Sequence, residues 1–283
     1  MEISFLNGCF LPKEEIKISP DDRGFLFADG VYEVAKWYAG LFFDMESHVS
    51  RLKRSLSELK IGWNEPDLFP SIASELIRIN ELESSYALIY LQVTRGVARR
   101  THYFPSREVT PTVYAYAWGY TPEALPEEKG VKVILREDIR WSRCDIKSVA
   151  LLANTLSFQE AYEKGMKECI FVRNGFITEG SHSNIFFVID GTLFTHPESN
   201  NILSGVTRKN ILRLAKESGL KIREEAVSLE RLKSCQEAFI TNTSAELTPV
   251  TEMEGIIIGN GTTGPVSRLL RKKFDEAIMN IKG

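Results

Sequence analysis

The chain has 283 residues, 43% of them hydrophobic, enough to bury a sizeable core as one large or two moderate domains, which excludes a disordered or fibrous protein. A net charge of -3 offers no basic surface for a nucleic-acid backbone, and nowhere do 18 apolar residues run together to cross a membrane. Cys9, Cys144, Cys169 and Cys235 are scattered, with no CxxC pair and no His or Cys at ligand spacing, so they read as reduced thiols of a soluble, cytoplasmic protein with neither disulfide nor metal.

The N-terminal segment MEISFLNGCFLPKEE lacks the cationic start and apolar core of a leader. Residues 2 to 11 alternate around Asn7-Gly8, and residues 31 to 43 around Ala39-Gly40, predicting two hairpins with glycine in the turns. From Glu46, the spacing of Val49, Leu52, Leu56 and Leu59 predicts a helix, and a second is expected over about 66 to 82. YALIYLQVTRG and PTVYAYAWGY follow as buried strands. The segment YTPEALPEEKG breaks the periodicity, so 121–128 is the expected linker between an α+β domain of residues 1–120 and a larger α/β domain of 129–283. Beyond it, Asn174-Gly175 and Asp190-Gly191 mark tight turns joining ECIFVR, FITEG, NIFFVI and TLFTH, and helices are expected at about 207 to 218, 228 to 234 and 265 to 280.

Lys147 follows the extended run WSRCDI and precedes an apolar pattern, Leu151, Leu152, Thr155, Phe158 and Tyr162, that is helical until Gly165. A lysine at such a strand-to-helix junction has a fixed base and a reaching amine, which suits a Schiff base with an aldehyde cofactor. Alone it reads as a solvated junction lysine; the surrounding motifs change that. Glu179 ends the strand FIT and opens EGSHSN, where small polar residues let a ligand approach the backbone; a carboxylate there suits a buried cation, such as a protonated ring nitrogen. Gly205-Val206-Thr207 precedes the amphipathic run ILRLAKESG, so helix amides are presented as a phosphate seat, with Thr207 adding a hydroxyl or serving as an ordinary N-cap. Thr243 and Ser244 offer further donors, and Arg51, on a helix flank, offers a fixed cation.

Taken in order, DRGFLFADGVYEV, the helix with Arg51, Lys147, EGSHSNIF and TNTSAELTPV resemble the fold-type IV pyridoxal-phosphate enzymes from about residue 3 to 280. Within that group, VTRGVARRTHYFP, EDIRWSRCDIKS and LFTHPESNNILSGVTR look most like the bacterial D-amino acid transaminases. The resemblance implies a two-domain α+β fold with pyridoxal 5'-phosphate on Lys147, Glu179 at the pyridine nitrogen, and Arg51, the Val206 amide, Thr207, Thr243 and Ser244 at the phosphate. Leu203 would pack on the ring and Arg140 would lie near the phenolic oxygen. Tyr32 would hold the substrate carboxylate with Arg100 and His102, whose loop comes from the partner in a homodimer with shared sites; residues two apart on an extended segment do face one side. His182 stands where the family commonly has a serine beside the cofactor, at the substrate side. The implied reaction is ping-pong transamination between D-amino acids (D-alanine, D-glutamate) and 2-oxo acids (2-oxoglutarate, pyruvate), with Lys147 as the catalytic base. A branched-chain L-amino acid aminotransferase and an aminodeoxychorismate lyase are the alternatives within the group, and Arg100 with His102 argues against both. Outside it stands a non-catalytic protein that keeps the fold and binds phosphorylated ligands.

Overall fold

The computed structural model describes residues 2–105, 108–122 and 128–282; most of the expected linker, residues 123–127, lies outside them. The chain divides into two compact units, Met1–Pro122 with Ile146–Ala150, and Glu123–Asp145 with Leu151–Gly283. The sequence reading gives all of 129–283 to one domain. Ile146–Ala150 depart from it because main-chain bonds tie them to the first unit: Ser148 bridges Val31, Val149 N donates to Gly30 O, and Tyr32 N donates to Lys147 O.

In the first unit, β1 (Ile3–Leu6) and β2 (Cys9–Pro12) form a hairpin in which Asn7 and Gly8 both take positive φ, 47° and 92°, so that the turn twists with its strands. A short helix α1 (Arg23–Phe27) leads into β3 (Gly30–Tyr38), followed by α2 (Met45–Leu59), α3 (Phe69–Ile79), β4 (Tyr86–Thr94) and β5 (Thr112–Gly119). The helix expected over 66 to 82 is shorter, because residues 66–68 form a separate 3-10 turn at its start. The strands make a sheet in the order β2-β1-β5-β4-β3. Its inward residues, including Val31, Ala35, Ile89, Leu91 and Ala115, pack in one core with Leu52 and Leu56 of α2 and Leu76 of α3. Glu33 sits on that inward face between Val31 and Ala35, and it is fully buried.

The second unit is built on β6 (Val131–Glu137), α4 (Leu152–Glu163), β7 (Glu168–Arg173), β8 (Phe176–Gly180), β9 (Asn184–Ile189), β10 (Thr192–Thr195), α5 (Val206–Glu217), β11 (Lys221–Glu224), β12 (Glu237–Asn242), β13 (Glu246–Met253), β14 (Ile256–Ile257) and α6 (Pro265–Lys282). The sheet runs β11-β10-β9-β12-β13-β6-β7-β8, with β14 on β13. Asn174-Gly175 and Asp190-Gly191 make the two tight turns, all four residues at positive φ. β9 is buried along its whole length, as a strand covered on both faces must be. Two expectations fail here. The stretch 228 to 234 is a 3-10 turn, Leu229–Ser234, and α4 does not bury the apolar pattern that predicts it: Leu152, Thr155 and Tyr162 are exposed, while Ser157 and Ala161 are the buried side chains.

Candidate active site

In the first unit the focus is Lys147. The run WSRCDI is not a strand: β6 ends at Glu137, α4 begins at Leu152, and Lys147 lies in irregular chain between them. Its base is fixed by bonds to other elements instead. The Lys147 carbonyl accepts from Tyr32 N at 3.0 Å and its amide donates to Ser55 Oγ of α2 at 3.3 Å. The half-buried amine then stands over the Tyr32 ring, Nζ 4.2 Å from the centroid, and Tyr32 in turn stacks on Tyr90 at 5.6 Å. Tyr32 and Lys147 are thus brought together.

Arg51 is buried, and its partner is one the sequence reading missed. Its Nε and Nη2 fork onto Glu33, donating at 2.7 Å and 2.8 Å, and His48 Nδ1 lies 2.9 Å from the same carboxylate. Burial alone would push the Glu33 carboxyl up; the Arg51 charge and fork outweigh it and hold the group at about 2, so the pair stays ionised. Burial lowers the affinity of His48 for a proton. The signal for Glu33 was present: in the alternation of β3, a glutamate at an inward position must find a cation. Arg100 and His102 are exposed and gather on Phe27, the guanidinium carbon 5.0 Å from the ring centroid and the imidazole edge-on at 5.6 Å. Among the described residues, no hydrogen bond, ion pair or ring contact joins either of them to Tyr32.

In the second unit, Glu179 on β8 is 4% exposed. Its Oε1 accepts from Arg140 Nη1 at 2.6 Å, and its Oε2 accepts from Asn184 Nδ2 and Leu203 N, both at 2.9 Å. Burial pushes its carboxyl up to about 7, against the opposing pull of Arg140 and of the Leu203 amide. Arg140 was expected beside a cofactor oxygen. Its guanidinium is shared between Glu179 and Asp138, which takes Nε and Nη2 at 2.9 Å each. Leu203 meets Glu179 through its main chain.

A second buried carboxylate, Glu168, shapes the TEGSHSN turn. It accepts from the amides of Cys169 and Ser181 and from the hydroxyls of Ser181 and Ser183. His182 turns its ring onto the same group, Nδ1 3.0 Å from Oε2, and meets Phe158 edge-on at 4.9 Å. Gly205 caps α5 without a side-chain bond, and Thr207 is the second helical residue, so Thr207 is not the N-cap. A Cβ on Gly205 would fall 2.1 Å from Asn184 Oδ1, so only glycine lets β9 come this close to the helix start. The amides of Val206 and Thr207 belong to the first turn, which has no intrahelical acceptors. Thr243 and Ser244 lie in the turn between β12 and β13, where Asn242 Oδ1 accepts from Ala245 N at 2.7 Å and Ser244 Oγ at 3.1 Å.

The family profile described as amino-transferase class IV matches residues 30–253. The chain is 40% identical to a D-alanine aminotransferase of Staphylococcus haemolyticus over 97% of both chains, and 38% identical to one of Bacillus licheniformis over 99% of this chain and 98% of that one. It belongs to the class IV aminotransferases. Among solved structures, the branched-chain amino acid aminotransferase of Escherichia coli has the same fold at a TM-score of 0.89 and 27% identity, covering 97% of this chain and 94% of that one. A second branched-chain amino acid aminotransferase, the T.th. enzyme solved with pyridoxamine 5'-phosphate, superposes at a TM-score of 0.87 and 27% identity over 98% of this chain and 94% of that one. The fold is that of the fold-type IV aminotransferases, and pyridoxal 5'-phosphate is the cofactor of such enzymes. The residues of this class IV aminotransferase fit it. A buried carboxylate suits a cationic ring nitrogen, a glycine-capped helix start with a hydroxyl at its second residue suits a phosphate, and a main-chain-clamped lysine suits a covalent bond to an aldehyde.

Proposed function

We propose that this aminotransferase exchanges an amino group between D-amino acids, D-alanine and D-glutamate, and 2-oxo acids, 2-oxoglutarate and pyruvate, in a ping-pong cycle, and that it works as a cytoplasmic homodimer. The observation that carries this reading is the near end-to-end match to D-alanine aminotransferase at 40% identity. Bound pyridoxal phosphate supplies an electron sink for the charge that develops at the substrate Cα. Lys147 would hold the cofactor through its amine, and the same amine would take up the α-proton and return one. Glu179 would face the ring nitrogen, where a cation would draw the glutamate, raised by burial, to its charged form. Arg51, preset by Glu33, takes the phosphate with the Val206 amide, Thr207, Thr243 and Ser244, while Leu203 packs on the ring.

Tyr32 takes the substrate carboxylate with Arg100 and His102 supplied by the second copy; His182 borders the substrate side. The homodimer is supported by large exposed aromatic side chains of α1 and of the Arg100 loop, Phe25 at 77% and Tyr103 at 71%. A second reading, branched-chain L-amino acid transamination, is favoured by the fold match to the Escherichia coli enzyme and is separated by substrate handedness. Borohydride fixation of the cofactor-loaded protein, followed by peptide mapping, tests the site. The added mass is expected on Lys147; mass on another lysine, or on none, overturns the assignment.

A further inference from the structure

The cluster around Glu179 contains a carboxylate that the proposed reaction does not use. The Asp138 side chain is fully buried, at 0% exposure, and that of Arg140 is at 5%. Its Oδ1 accepts from Arg140 Nε at 2.9 Å and from the Arg140 amide at 3.2 Å. Its Oδ2 accepts from Arg140 Nη2 at 2.9 Å and from the Thr178 hydroxyl at 3.2 Å, and lies 3.1 Å from Arg173 Nη2. Thr178 and Arg173 therefore pin Asp138, and Asp138 grips one edge of the planar guanidinium. The Asn201 carbonyl takes a further Nη2 bond at 3.2 Å, and Phe171 lies under the plane, 4.4 Å from Cζ. With one edge held and one face covered, the other edge has a single direction, and Nη1 meets Glu179.

We infer that Asp138 is a positioning residue that acts through Arg140: by fixing the guanidinium fork it aims Nη1 at Glu179 and so sets the protonation of that glutamate. Asp138 exerts this effect within the chain itself, and only the catalytic consequence rests on the proposed pairing of Glu179 with the cofactor ring nitrogen. The charged groups of the cluster are Asp138, Arg140, Arg173 and Glu179, two of each sign; the neighbouring Cys144 thiol is pushed up to about 11 by burial and stays neutral.

Two effects of removing the Asp138 charge oppose each other. As a like charge, Asp138 raises the affinity of Glu179 for a proton, so its loss with Arg140 unmoved lowers the Glu179 titration. As a positioning residue it keeps Arg140 on Glu179, so its loss lets the guanidinium swing away, and the Glu179 titration rises. The sign of the shift separates the two.

The test is carbon NMR of the cofactor-free full chain with carboxyl-labelled glutamate, Glu179 being assigned by its absence in Glu179→Gln. In Asp138→Asn the Glu179 midpoint is expected to move up by about one unit or more. An unchanged or lowered midpoint overturns the inference. Arg140→Lys provides a second arm should Asp138→Asn fail to fold, since it keeps the charge and removes the fork. The same rise is expected there, and an unchanged midpoint overturns the inference equally. In the loaded enzyme, the pH profile of α-proton removal from D-alanine should shift in step with that midpoint. A shifted midpoint with unaltered kinetics supports the relay and overturns the pairing of Glu179 with the ring nitrogen.

Discussion

Lys147 shows how a reactive side chain is placed without regular structure at its own position. Its carbonyl and amide are bonded to β3 and α2, so the amine inherits their rigidity. Glu179 is the complementary case, a carboxylate whose burial works against its charge. In the cofactor-free chain it titrates near 7 rather than at its ordinary 4.5, so between those values the folded chain holds a proton that the unfolded chain has released. The stability due to protonated Glu179 is therefore full below about 4.5 and lost as pH rises through about 7. Glu33, held near 2, contributes an opposite slope only at the low edge of that window, where its unfolded carboxyl still binds a proton, and it contributes equally in the parent and in Glu179→Gln. By denaturant unfolding, the cofactor-free parent should lose on the order of 3 kcal/mol more stability than Glu179→Gln between about pH 4.5 and about pH 8. Parallel profiles would mean that the carboxyl is not perturbed. Lys147 and Glu179 could be named as candidates because each stands in a recognisable run; His48 and Glu168 could not, because a buried ion pair between residues distant in sequence leaves no local pattern, and Asp138 could not, because nothing in the run EDIRW says that an acid two residues from Arg140 is buried with it. Glu33 was legible in principle, as an acid on the apolar register of a strand.

At the level of elements, the β8–β9 turn is held by a buried charge as well as by its small residues. Glu168 receives the Ser181 amide and the hydroxyls of Ser181 and Ser183 within TEGSHSN. Glu168→Ala leaves Ser181 and Ser183 without their acceptor and His182 without its anion, and should lower stability by about 3 kcal/mol or more, read as a fall in the thermal midpoint. A midpoint within a degree of the parent would show that the turn holds itself. The two glycine turns, the strands and the long helices were legible from alternation and spacing. The burial of α4 was not: the apolar period placed the helix correctly, but Ala161 and Ser157 are the residues that pack inward, and the larger side chains remain exposed in the single chain. Periodicity reports that a helix has an apolar stripe, not what covers it.

For the whole molecule, Ile146–Ala150 group with the first compact unit through an isolated bridge from Ser148 to Val31, a long-range contact that linear spacing does not carry. If a homodimer shares its sites through the loop of Arg100, mixing the inactive variants Lys147→Ala and Arg100→Ala should restore part of the activity in hybrid dimers that hold one intact site. No recovery, with subunit exchange demonstrated, would place both residues in one chain's site. The central claim is the handedness of the substrate, and it is tested most directly by following 2-oxoglutarate-dependent transamination of the D- and L-forms of alanine, glutamate and leucine by the loaded enzyme. The account predicts pyruvate from D-alanine and no measurable product from L-alanine or L-leucine; a preference for L-leucine or L-alanine would contradict it and put branched-chain transamination in its place.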